Sequence, residues 1–270
     1  MLLQESDAAI SDLTFSGPVS DSGPNIVARG GAPLVHDIAM SGGNVYLHAG
    51  SAATIRDSEL EGTWVFFEEQ SPATLEDSSF AAVVANSTNT RISGGPATVR
   101  DNRTHGILIN GSAVVEGNEV VAPEASLWPD KLYGSAIDVQ GGEGWIIRDN
   151  SVTGFVDDIA IEASRASGGE ITDDVVRDAL LGIHLGAGDH VVEGNEVSGG
   201  DTGIITTIGS AATLTGNGVT GVTGLGFSLA GSPVLRDNHS CGNGENVRVV
   251  EGATPDMDES NEICPDTESP

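Results

Sequence analysis

Ala53-Thr54-Ile55-Arg56-Asp57-Ser58, Ala73-Thr74-Leu75-Glu76-Asp77-Ser78 and Ala97-Thr98-Val99-Arg100-Asp101-Asn102 are three copies of one pattern. Looser copies follow at Val114-Val115-Glu116-Gly117-Asn118, Ile146-Ile147-Arg148-Asp149-Asn150, Val191-Val192-Glu193-Gly194-Asn195, Thr213-Leu214-Thr215-Gly216-Asn217 and Val234-Leu235-Arg236-Asp237-Asn238. Aligned on their last residue, the repeats give the anchors Leu13, Ile38, Ser58, Ser78, Asn102, Asn118, Asn150, Asp174, Asn195, Asn217, Asn238 and Asn261. Most steps lie near 22 residues. The step from Asn102 to Asn118 is the shortest and that from Asn118 to Asn150 the longest.

Between anchors runs a second alternating segment, as in Ile107-Leu108-Ile109, Ile137-Asp138-Val139, Ile159-Ala160-Ile161, Ile183-His184-Leu185, Phe227-Ser228-Leu229 and Val247-Arg248-Val249. Alternation with period two places the outer pair inward and the middle residue toward solvent. A unit of about 22 residues with two or three short strands cannot bury its own apolar face, but stacked units can. Each strand then pairs in parallel with its equivalent one coil away, about 4.8 Å along the axis. The expected fold is all-β: a single-stranded right-handed parallel β-helix of about 11–12 coils over residues 1–264. A loop insertion is expected at 121–133 and an acidic disordered tail at 265–270. A leucine-rich repeat has a similar period, but its Leu-x-x-Leu-x-Leu pattern is absent.

Three columns follow from that register. The anchor asparagines suit a turn whose amides stack into a ladder, a structural role. The outward column Arg56, Glu76, Arg100, Glu116 and Arg148 alternates in charge from coil to coil, each contact being worth a few tenths of a kcal/mol. It speaks against an ice-binding face beside Thr54, Thr74 and Thr98, which would be flat and threonine-rich. The two cysteines, Cys241 and Cys264, each lie three residues after an anchor. Adjacent coils then bring their Cα atoms within disulfide range, so a Cys241–Cys264 bond and an oxidising compartment are expected.

Composition agrees with many short strands. Aromatic residues make up 4% of the 270 residues, glycines number 37, and Lys131 is the only lysine. The core must therefore be built from Val, Ile, Leu and Ala. The formal net charge of −29 removes nucleic acid as a partner, because no basic stripe exists to meet phosphates. It disfavours anionic membranes too, and it repels polyanionic sugars unless a divalent cation bridges the carboxylates. No apolar run is long enough to span a bilayer, and no signal peptide is visible at Met1-Leu2-Leu3-Gln4-Glu5. Localisation is read from the fold as secreted or cell-surface. Oligomeric state is not legible.

Insertions in solenoids become loops on one face, often the binding face. The one at 121–133 carries Trp128 and Tyr133, rings able to stack on a sugar, together with Lys131. The outward column of the alternating segment is expected to run Tyr46, Phe66, Val84, Leu108, Asp138, Ala160, His184, Ile205, Ser228 and Arg248, with Trp64, Asp158 and Glu162 on the same face. Its upstream part is an apolar stripe that could take a ligand on Trp64 and Phe66. Its middle gathers Asp138, Asp158, Glu162 and His184. Glycoside hydrolysis needs two carboxylates at about the separation that adjacent coils supply. A solvated acidic face explains the same residues, and calcium would suit them as well.

The asparagine-bearing coils resemble the pectin-lyase-like superfamily of right-handed β-helices, from about Asp7 to Cys264. The resemblance implies the fold and leaves the activity open. Ala136-Ile137-Asp138-Val139 followed by Val156-Asp157-Asp158-Ile159-Ala160-Ile161 is similar to polygalacturonases, which carry Asn-Thr-Asp, Asp-Asp, Gly-His-Gly and Arg-x-Lys on successive coils. Of that set only the Asp157-Asp158 pair is present. The other positions hold Ser135, Leu181, Ile205 and Thr207, and His105-Gly106 precedes the pair instead of following it. The epimerase-like Asp-Pro-His is absent after Tyr133-Gly134. Two functions remain. One is an extracellular carbohydrate-binding or adhesive scaffold without catalysis. The other is a divergent polysaccharide hydrolase or lyase using Asp138, Asp157, Asp158, Glu162 and His184. No metal site and no cofactor is assigned, with calcium possible.

Overall fold

The computed structural model describes residues 1–5, 7–16, 25–48, 50–67, 71–86, 97–123 and 134–266, with the backbone alone at 16, 25, 62 and 81–86. Among these residues every regular element is a strand. The chain divides into two compact units, Met1–Val120 and Val121–Pro270, at the start of the expected insertion. Each is a right-handed parallel β-helix.

In the first unit the short strands Ala9–Ile10, Leu34–His36, Thr54–Arg56, Thr74–Glu76, Ala97–Arg100 and Ala113–Glu116 pair in parallel, in that order. In the second, Ile146–Arg148, Glu170–Thr172, Val191–Glu193, Thr213–Thr215, Val234–Arg236 and Asp256–Met257 do the same. The middle residue of each points inward and stacks on its equivalent. Ile55, Leu75, Val99 and Val115 fill the first unit, and Ile147, Ile171, Val192, Leu214 and Leu235 fill the second. Fully burying each such side chain contributes about 1.5–3 kcal/mol, so a core short of rings is assembled from many small layers.

After each short strand the chain turns a corner through one left-handed residue. Asp57, Asp77, Asp101, Asp149, Asp173 and Asp237 take φ of 48–57° there, and Gly117, Gly194 and Gly216 take 65–67°. Asp tolerates this region because its short polar side chain bonds locally, and Gly because it has no Cβ. That requirement explains why every strong repeat has Asp or Gly just before its anchor.

The anchors then form the expected ladders. In the first unit the backbone N–H groups of Ser58, Ser78 and Asn102 donate to the side chains of Ser78, Asn102 and Asn118 at 3.0–3.1 Å. In the second, Asn150, Asp174, Asn195, Asn217 and Asn238 each donate likewise to the next anchor. The asparagine amides add a second rail, as Asn195 Nδ2 does to Asn217 Oδ1 at 2.9 Å and to the carbonyl of Ile171 at 2.9 Å. Buried corners thus leave few backbone groups unpaired, which is the condition for stacking them. The short step from Asn102 to Asn118 keeps its register, with Arg100 opposite Glu116.

The charged column behaves as expected in the first unit. Glu76 sits opposite Arg56 and Arg100 and ion-pairs with Arg100. The disulfide joins Cys241 and Cys264 with Cα atoms 4.9 Å apart. Asp266, expected in the loose tail, is bound to the fold, its Oδ1 accepting from the backbone N–H of Asn246 at 2.8 Å.

Candidate functional site

The long-strand face of the second unit is built from Ser135–Gly141, Ile159–Ala163, Leu181–Leu185, Thr202–Thr206, Leu225–Leu229 and Glu245–Val249. Its register pairs Asp138 with Glu162, Glu162 with His184, His184 with Ile205, Ile205 with Ser228 and Ser228 with Arg248. This corrects the sequence-based column at one rung, where Glu162 and not Ala160 stands beside Asp138. Ala160 and Ile161 are both fully buried, so the alternation breaks between them. Asp138, Glu162 and His184 therefore lie on three consecutive rungs of one face.

Hydrogen bonds fix the first two. Gln140 Nε2 donates to Asp138 Oδ2 at 2.9 Å. The hydroxyls of Ser135 and Ser164 donate to the two oxygens of Glu162, each at 2.5 Å. Ser135, Gln140 and Ser164 were not singled out from sequence. Strand alternation sets Gln140 beside Asp138 and Ser164 beside Glu162, whereas only the coil register brings Ser135 to Glu162. His184 Nδ1 lies 3.9 Å from Glu162 Oε1, near enough for attraction and too far for a hydrogen bond.

These environments push the two carboxyls apart. Burial raises the pKa of Asp138; Gln140 opposes this and the charge of Glu162 adds to it. Burial also works to raise Glu162, but the Ser135 and Ser164 hydroxyls and the nearby His184 and Arg165 outweigh it, so its pKa is lowered. Burial lowers the pKa of His184 against the pull of Glu162. The result is a carboxyl that holds its proton more tightly beside a carboxylate that holds its charge, with an imidazole biased toward neutrality.

The remaining predicted residues are distributed as follows. Asp157 and Asp158 lie in the turn before Ile159, where the Asp158 N–H donates to the carbonyl of Phe155 at 2.9 Å. Asp157 is exposed and Asp158 half-buried. Trp128, Lys131 and Tyr133 lie outside the described residues. On the first unit Tyr46, Phe66, Val84 and Leu108 share one column as expected, and Val27 extends it by one rung. Its rings stack on one another. Tyr46 and Phe66 are 4.9 Å apart and within 10° of parallel, and Trp64 lies 6.1 Å from Phe66 at 17°. One face of Phe66 is thus covered by Tyr46 and unavailable to a sugar.

A third grouping was missed in the sequence apart from its cysteines. His239, Cys241 and Glu262 bring ligand atoms within 4.8 Å of one another, the one group of three metal-type donors among the described residues.

A family model described as the periplasmic copper-binding protein NosD matches residues 114–263, more than half of the chain. The chain belongs to the NosD family. No curated protein matches it. Among solved structures, a mutant of the periplasmic alginate epimerase AlgG is similar at a TM-score of 0.60 and 11% identity, covering 89% of this chain and 77% of that one. At that identity the likeness shows the β-helix fold alone.

The family description raises copper, which calls for soft donors. All six histidines, both cysteines and all three methionines of this NosD-family chain lie among the described residues. Their one cluster contains a cysteine already spent in the disulfide, leaving His239 and Glu262. A lone imidazole and an exposed carboxylate do not make a copper site. The oxidised chain does not fit the metal.

Proposed function

We propose that this chain is an envelope β-helix, periplasmic or extracellular, that binds neutral polysaccharide along the long-strand face of its second unit without transforming it. The observation that carries the reading is the ladder Asp138–Glu162–His184, with Ser135, Gln140 and Ser164 locking the carboxylates in place. Asp138 is buried, so Glu162 and His184, half-buried on adjacent rungs, are the polar groups offered to a repeating polymer. The net charge of −29 turns uronic-acid chains away and favours a neutral glycan. Trp128, Lys131 and Tyr133 precede Ser135 in the sequence, and their two rings and ammonium are of the kinds that contact sugars.

A second reading rests on the opposed pKa shifts of Asp138 and Glu162. A carboxyl that holds its proton more tightly beside one that holds its charge is the bias that glycoside hydrolysis uses, as acid and as nucleophile or base. Asp138 would donate the proton and Glu162 would act as the charged partner.

Native gels cast with neutral or uronic-acid polysaccharides, with and without calcium, test both. Binding predicts retardation in a neutral glycan, at least a tenfold loss of affinity in Glu162→Gln or His184→Ala, and no new reducing ends. New reducing ends that vanish in Glu162→Gln would replace binding by hydrolysis. No retardation in any glycan overturns both readings.

A further inference from the structure

Two histidines stand on one coil of the second unit, and the polysaccharide reading uses only His184. The other, His190, is fully buried at the corner that follows the strand Leu181–Leu185. Neither of its ring nitrogens has a well-formed hydrogen bond, and the same holds for Nε1 of Trp145, which is also fully buried. The two rings lie 5.7 Å apart at 40°. The indole reaches across the intervening coil at Gly169, where a Cβ would come within 2.1 Å of Trp145 Cε2. An apolar side chain in place of His190 would fill this corner without orphaned polar atoms.

We propose that His190 is an acid-operated latch on the neighbouring glycan-binding face: its protonation opens the corner at 186–190 and releases a bound neutral polysaccharide. This role deepens the polysaccharide reading and rests on it.

Backbone contacts couple the corner to the face. The N–H of Gly186 donates to the carbonyl of Ala163 at 3.2 Å, and a Cβ on Gly186 would lie 2.1 Å from the carbonyl oxygen of Ser164. The corner therefore sits directly on Ser164, whose hydroxyl holds Glu162. A Cβ on Gly188 would lie 3.0 Å from Ser167 Cβ and 3.5 Å from His190 Nε2, so the imidazole is wrapped by its own turn. The N–H of Val191 closes the corner on the carbonyl of Gly169 at 3.0 Å. An imidazolium cannot stay there cheaply. Asp189 is the charged group that acts on it, and that residue is exposed. The stacked segments 166–169 and 210–212 and Trp145 bring no titratable side chain.

Burial lowers the pKa of His190 against the pull of the Ala187 carbonyl and Asp189. Outside the corner the imidazole returns to the ordinary histidine range. The closed form is therefore secure above that range, and as pH falls through it the open form gains by at most about tenfold per pH unit. Asp138 and Asp174 work in the opposite sense, because burial already favours their protonated forms.

The test is amide exchange of the full chain at about pH 7.5 and about pH 5, corrected for the intrinsic effect of pH, beside native gels cast with neutral polysaccharide at the same two values. Exchange at Gly186, Gly188 and Val191 should accelerate at least tenfold in acid, and glycan affinity should fall by a similar factor. His190→Phe fills the corner and takes no proton. It should bind glycan at neutral pH and lose both acid responses. Should that variant not fold, His190→Gln should lose them likewise. His184→Gln, which removes the other imidazole of the coil, should leave the acid response of exchange in place. Corner exchange that ignores pH, or an acid response that survives replacement of His190, overturns the latch. Opening without loss of bound glycan overturns its coupling to the face. Opening with no glycan bound at either pH overturns the polysaccharide reading, and release with it.

Discussion

Asp174 Oδ1 accepts both the backbone N–H and the side-chain amide of Asn150, at 2.7 and 2.9 Å, while its Oδ2 is buried without a hydrogen-bond partner. It is the one acid in an otherwise amide ladder that runs from Asn150 to Asn261. Where an asparagine offers an N–H₂ to the next rung, an ionised aspartate offers only lone pairs. Burial, set against the two bonds from Asn150 and reinforced by Asp149 and Asp173, pushes its pKa up to about 7.

The sign of the pH dependence follows. Below the ordinary aspartate range both folded and unfolded chains carry the proton, and the ladder is intact. As pH rises toward 7 the unfolded chain loses the proton first, so stability falls by about 1.4 kcal/mol per unit of pKa difference. Above 7 the loss is complete. Asp174→Asn restores the missing donor. Urea midpoints of variant and parent should coincide near pH 4 and diverge, with the variant more stable, up to pH 7–8. Equal midpoints at pH 8 would refute the argument.

The asparagine rungs make the converse case. Asn217 Nδ2 donates to the carbonyl of Val192 at 2.9 Å and to Asn238 Oδ1 at 3.0 Å, and its Oδ1 accepts twice from Asn195. Asn217→Ala strands buried groups on both neighbouring coils, each costing about 1–3 kcal/mol. A loss of several kcal/mol is expected by urea denaturation, with no change in glycan binding. Asn217→Asp should lose less at pH 4 than at pH 8, reproducing the behaviour assigned to Asp174.

Close coil packing is tested at Gly203. A Cβ there would lie 2.3 Å from Val219 Cγ1 and 2.6 Å from the carbonyl oxygen of Gly226, a backbone atom that cannot swing aside. Gly203→Ala should therefore destabilise by about 1–3 kcal/mol, the usual cost of overpacking. Combining it with Val219→Ala should recover part of the loss, because one of the two clashes disappears. A neutral Gly203→Ala would mean the coils yield more readily than this packing implies.

How far the sequence carried the reading is clearest along this same column. From Ser58 onward the anchor residues are polar and recur at the corner, so their alignment is unambiguous, and the cysteines follow by counting three residues on. The long-strand face was harder. Ile159-Ala160-Ile161 and Ile161-Glu162-Ala163 both satisfy the apolar–variable–apolar template, and periodicity alone cannot choose between them. The deciding signal was the small residue before each such triplet: Ala136, Ala160, Gly182, Gly203 and Gly226 all occupy the tight inward position. Ser135, Gln140 and Ser164 were invisible for another reason. Their partners lie on neighbouring rungs or across a pleat, and nothing in a single coil marks a serine as the donor to a glutamate 27 residues on.

Reduction of the Cys241–Cys264 bond tests how local its structural role is. The bond closes a loop with a sequence separation of 23, for which chain entropy gives a stabilisation of about 3 kcal/mol. Because the cysteine segments are also held by the backbone pairing of His239 with Glu262 and by Asn246, the loss should be confined to the end coil. Amide exchange at Glu262 and Cys264 should accelerate by no more than about 160-fold, the equivalent of that stabilisation. Amides at Val192 and Leu214, three and two rungs up the core from the end coil, should keep their protection. A reduced chain in which the amides at Val192 and Leu214 also exchange freely would mean that the crosslink holds the stack together, and that the two thiols do not stay opposed once it is broken.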